Sequence, residues 1–127
     1  MKNTYVQVTK NFNTWEARCR GINCCGASAP MHPDLWPKLE ELRTQVEAPL
    51  ILTSGFRCLT HNRALKSSKD TSQHCLGTAV DVWIPNGINH SVFFEYCKIL
   101  FRGTGLYKGF VHLDLRTGRK ATWYGSY

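Results

Sequence analysis

Three ionisable side chains, Asp81, His112 and Asp114, stand inside stretches that otherwise read as buried strands. In SQHCLGTAVDVWIP (72–85), residues 78–84 are small, β-branched or aromatic apart from Asp81, and His74 stands just upstream. The stretch FVHLDLR (110–116) carries His112 and Asp114 in the same way. An unpaired charge in such a place is very costly, so each group has to be hydrogen-bonded, ion-paired or bound to a metal. The two-residue period of a strand puts Ala79, Asp81 and Trp83 on one face, with Val80, Val82 and Ile84 opposite. It likewise groups His112, Asp114 and Arg116 opposite Val111, Leu113 and Leu115. His74, Asp81 and His112 together are a donor set that suits zinc, with a fourth position open as in a catalytic site. The competing reading from residues alone pairs Asp81 with Arg57 or Arg116 and makes His112 a satisfied core histidine.

The elements that must position these groups are short. YVQVT (5–9) alternates as an edge strand would, and residues 11–30 are turn-rich and irregular. His32-Pro33-Asp34 opens a helix in which Leu35, Leu39, Leu42 and Val46 share one face, with Pro37 inside the first turn and Ala48-Pro49 at the end. Residues 50–53 read as a strand and 60–66 as a short helix capped by Thr60. Ser91 is positioned to cap a further helix that turns Val92, Phe93, Tyr96, Cys97 and Leu100 inward. GTGLYKG (103–109) reads as a loop before the strand at 110–116, which a turn joins to ATWY. The sum is an α+β fold, a small and largely antiparallel sheet with two or three packed helices.

At 127 residues, 43% hydrophobic and 20% charged, the chain suits one globular domain over 1–127 with a core of its own. A formal charge of +7 points to an anionic partner such as nucleic acid, a cell-wall polymer or a membrane surface. The basic residues are dispersed and no nucleic-acid motif accompanies them, which argues against a specific nucleic-acid binder. Runs such as PLIL and SVFF are far too short to span a membrane. The N-terminus has no apolar core of a secretory signal, which implies synthesis in the cytoplasm. The six cysteines then fit buried thiols, one disulfide involving Cys58, or a structural zinc site drawing on Cys19, Cys24, Cys25 and Cys58. The spacing C-x4-C-C has no specificity as a ligand pattern.

Ser72-x-His74-x-x-Gly77-x-Ala79-x-Asp81 resembles the signature of D-Ala-D-Ala carboxypeptidase-type zinc peptidases, the VanX- and VanY-like enzymes whose fold the hedgehog amino-terminal domain shares. TSGFRCLTHN (53–62) is similar to that family's "SGYR…HN" segment, and GTGLYKGFVHLDLR (103–116) to the closing motif of its small phage and bacterial branch. The resemblance implies one zinc ion held by His74, Asp81 and His112. It makes Arg57 a substrate-facing group that binds a carboxylate or polarises the scissile carbonyl, and places Ser72 close to substrate. His61 and Asn62 are implied to support the site only. VanX- and VanY-like members carry a glutamate as general base three residues before the last histidine, and here Gly109 stands there. Asp114 is the obvious substitute as base, or else it orients a ligand imidazole. The implied activity is hydrolysis of the peptidoglycan stem peptide by a monomer. A phage or prophage lysis enzyme would reach the wall after release. The alternative is a non-catalytic zinc-containing module that binds the wall, its basic surface serving an anionic polymer in either case.

Overall fold

The described elements begin with β1 (Gln7–Thr9), β2 (Phe12–Asn13) and a short 3-10 helix (Thr14–Ala17), and include α1 (Leu35–Val46), β3 (Leu52–Ser54) and β4 (Ala79–Trp83). They continue through α2 (His90–Leu100), β5 (Gly103–Leu106), β6 (Phe110–Asp114) and β7 (Ala121–Tyr124). The structure is a computed structural model and describes residues 5–20, 31–58 and 73–125. The helix expected at 60–66 lies outside the described residues.

The two strands with misplaced charges are neighbours at the centre of a five-stranded sheet of order β3-β4-β6-β5-β7. β4 and β6 run antiparallel with Asp81 opposite His112, Ala79 opposite Asp114 and Trp83 opposite Phe110. Among the described residues, only the β5–β7 pair is parallel. The register turns Val80, Val82, Val111 and Leu113 to the other face, where all four are fully buried. There they pack with Leu35, Leu39 and Leu42 of α1 and with Phe93, Phe94 and Cys97 of α2. Each fully buried leucine or valine removes enough apolar surface to contribute about 1.5–3 kcal/mol before entropy is counted. The result is the α+β architecture the sequence implied, and among the described residues it has two helices. No described helix is long and apolar enough to cross a membrane.

α1 follows its apolar spacing, with Trp36 buried beside the leucines, and ends on Glu47 in a left-handed conformation (φ 54°). α2 starts two residues earlier than the Ser91 cap implied, at His90. The Asn89 side chain accepts hydrogen bonds from the Ser91 and Val92 amides, and asparagine caps as well as serine. That phase leaves Val92 half exposed and sends Phe94 into the core instead. The larger departure is at 103–106. A glycine-rich stretch that reads as a loop is a strand between β6 and β7, its glycines buried on the same face as Asp81 and His112. ATWY in turn pairs with it as β7.

Candidate metal centre

His74 comes from the turn before β4, and that turn is closely specified. Gly77 holds a left-handed φ of +74°, which a side chain would strain. The Gly77 and Thr78 amides donate to the carbonyls of His74 and Gln73 at 3.3 and 3.1 Å, and the Thr78 hydroxyl reaches the Gln73 side-chain oxygen at 2.6 Å. The turn drops His74 into the interior, where Nδ1 lies 2.7 Å from the Gly55 carbonyl oxygen. A carbonyl only accepts, so Nδ1 carries the proton and Nε2 keeps its lone pair. That Nε2 points at Asp81 Oδ1, 3.3 Å away.

The same Oδ1 lies 3.1 Å from His112 Nδ1, and the other ring nitrogen of His112 lies 2.7 Å from Asp114 Oδ2. One donor atom each from His74, Asp81 and His112 therefore lies within 4.8 Å of the other two. Burial alone would raise the Asp81 carboxyl, but His112, which donates to it, and the close-lying His74 imidazole outweigh burial and hold it well below the usual carboxylate range. Burial would likewise lower His112, yet its bonds to Asp114 and Asp81 raise it. Asp114 is fully buried. Its Oδ2 accepts from His112 Nε2 and from Arg116 Nη2, both at 2.7 Å. Its Oδ1 accepts from the Arg116 amide at 3.0 Å and from Arg116 Nε at 2.9 Å. Desolvation opposes this charge as well, but the bonds from His112 and Arg116 win and hold the Asp114 carboxyl low.

The donor set fits a divalent metal. It offers an imidazole lone pair, a carboxylate, and a second imidazole nitrogen whose proton a cation would replace. In both rings the remaining nitrogen is anchored, to a backbone carbonyl in His74 and to a carboxylate in His112, which is how ligand imidazoles are kept in orientation. Arg116, considered from sequence as a partner for Asp81, is engaged with Asp114.

The half-buried Arg57 lies three residues beyond β3, and its amide donates to the His74 carbonyl at 3.2 Å. The segment that carries it therefore runs against the ligand turn. Ser72, His61 and Asn62 lie outside the described residues. Sequence reasoning missed Trp123, whose ring centre is 5.2 Å from that of His112 and whose Nε1 donates to the Tyr107 hydroxyl at 2.8 Å. Tyr107 stacks in turn on Phe110 at 4.7 Å, so an aromatic wall borders His112. Alternation in ATWY puts Ala121 and Trp123 on one face. What brings the indole to His112 is the pairing of Trp123 with Gly105, where no Cβ obstructs it.

A protein-family model described as Peptidase M15 matches residues 7–114, a span that contains Arg57, His74, Asp81, His112 and Asp114. No curated protein sequence matches the chain.

Proposed function

The chain belongs to the Peptidase M15 family, and from that premise we propose that it is a zinc-dependent peptidase that hydrolyses the stem peptide of bacterial peptidoglycan. The observation that carries this reading is the convergence of one donor atom each from His74, Asp81 and His112 within 4.8 Å. These three residues would hold the zinc through Nε2, Oδ1 and Nδ1. When bound, zinc supplies Lewis acidity toward water and toward the scissile carbonyl.

The chain's own residues do the rest. Arg57 binds a substrate carboxylate or stabilises the carbonyl oxygen as it gains negative charge, tasks to which a guanidinium fork is suited. Ser72, two residues before His74, contacts the substrate. Of the two roles open to Asp114 from sequence, its surroundings favour orientation of His112 over proton transfer. A carboxylate has about four lone-pair sites, and the four donors around Asp114 occupy them all. The Nε2–H of His112 is thereby fixed on Asp114, and Nδ1 is turned toward Asp81.

A second reading, a zinc-containing module that binds the wall without cutting it, is favoured by one observation. Gly109 holds φ +88°, and a Cβ there would press on the Trp83 ring. The turn into β6 thus excludes the glutamate that VanX- and VanY-like enzymes carry at this position. Defined muropeptides incubated with the zinc-loaded protein and weighed by mass spectrometry distinguish the two. We expect loss of a terminal residue or scission of the stem, abolished by chelation and by His74→Ala. Muropeptides left intact across several wall chemotypes, while still retained by the protein, would establish the binding module instead.

A further inference from the structure

Two thiols far apart in sequence meet beside the ligand turn. Cys19, only 3% exposed, and Cys58 bring their sulfurs to 3.8 Å. The encounter is enforced by the backbone on either side. The Phe56 amide donates to the Ala17 carbonyl at 2.9 Å, and Gly55 packs so closely on Ala17 that a Cβ would collide with it. The Arg20 guanidinium reaches the Glu16 and Leu52 carbonyls at 2.6 and 3.3 Å, tying the same two segments together. A disulfide needs its sulfurs at about 2.05 Å. A tetrahedral metal with sulfur ligands at about 2.3 Å sets adjacent sulfurs about 3.8 Å apart, which is the separation found here.

We propose that Cys19 and Cys58 are two thiolate ligands of a second metal site, structural in role and selective for zinc or another thiophilic divalent ion. Soft sulfur donors distinguish this site from the His74, Asp81 and His112 set, which mixes imidazole with carboxylate. Each thiol gives up its proton to solvent as the metal binds. The site pins the 3-10 helix segment to residues 55–58. That stretch carries Arg57 and the Gly55 carbonyl that fixes the His74 tautomer, so filling the second site firms one wall of the first.

Metal content and cobalt spectra of the full-length protein test the assignment without reference to activity. Purified protein is expected to carry two equivalents of zinc. His74→Ala should keep the thiolate-bound equivalent, whereas Cys19→Ser or Cys58→Ser should lose it and keep the other. Cobalt-loaded His74→Ala should show a sulfur-to-cobalt charge-transfer band in the near ultraviolet, and adding Cys19→Ser should remove it. Should the serine variants fold poorly, alkylation mapping of the wild-type chain gives the same answer, with Cys19 and Cys58 shielded by zinc and labelled after chelation. The assignment is overturned if the serine variants hold as much metal as the wild type, if cobalt gives no sulfur band, or if peptide mapping finds Cys19 and Cys58 joined as a disulfide. None of these results bears on whether muropeptides are cut, so failure here leaves the first site standing.

Discussion

Asp114 is the residue on which the two accounts of this site diverge. As a proton acceptor it would need a lone pair facing substrate; as an anchor it needs a firm hold on His112. Its full burial and its fork to Arg116 suit the second. Asp114→Asn separates the two. The amide puts a donor where two donors already converge, so His112 loses its fixed orientation. Loss of such a partner lowers metal affinity by roughly 10–100-fold. Chelator competition should show that fall, and turnover should recover as zinc is raised to saturation. A variant that binds zinc normally and stays inactive at any zinc concentration would return Asp114 to the role of base. Residue type and two-residue spacing suggested His74, Asp81 and His112 as a metal set, the family resemblance singled them out, and the structure places their donor atoms together. The spacing also put Asp114 and Arg116 on the His112 face. Which bonds to which was not legible, because sharing a face leaves Arg116 equally able to reach Asp81 or Asp114 until the strand register is known.

At the scale of elements, β4 and β6 declared themselves through alternation, while β5 was hidden by its own function. Glycine is depleted in strands because it packs nothing and loses backbone entropy, so GTGL reads as a loop. In the sheet those glycines are spacers. Gly103 lies opposite Asp114, and a Cβ on it would fall among the atoms of that carboxylate. Gly105 lies opposite His112 and yields its space to the Trp123 ring. The strand is thus poor in side chains because its neighbours lay theirs across it. Gly103→Ala is accordingly expected to do more than fill a gap. Overpacking of this kind costs about 1–3 kcal/mol, and the displaced Asp114 would also release His112. Urea melts should register the first effect and zinc titration the second. A variant with unchanged midpoint and unchanged zinc affinity would show that Asp114 does not depend on the space over β5.

Over the whole molecule, sequence conveyed composition and charge well and distant encounters poorly. Nothing in the spacing of the cysteines announces that residue 19 meets residue 58; that contact exists only once Gly55 seats on Ala17. Charge is different, because it acts through space with little regard for fold detail. Sixteen basic residues face nine acidic ones, and two of the nine, Asp81 and Asp114, are turned into the site. Arg116 pairs with Asp114 there, so the formal +7 stands as the measure of the chain's field. If the substrate sits in an anionic wall, this field should speed encounter with the polymer and do nothing for a small, nearly neutral stem peptide. The Debye length shrinks from about 10 Å at 0.1 M salt to about 3 Å at 1 M, so the two substrates should separate on a salt series. We expect kcat/KM on intact wall to fall several-fold between low and high salt while kcat/KM on a soluble stem peptide stays nearly level. Equal sensitivity of both substrates would place the salt effect on the metal site itself, and insensitivity of both would mean that the basic exterior takes no part in finding the wall.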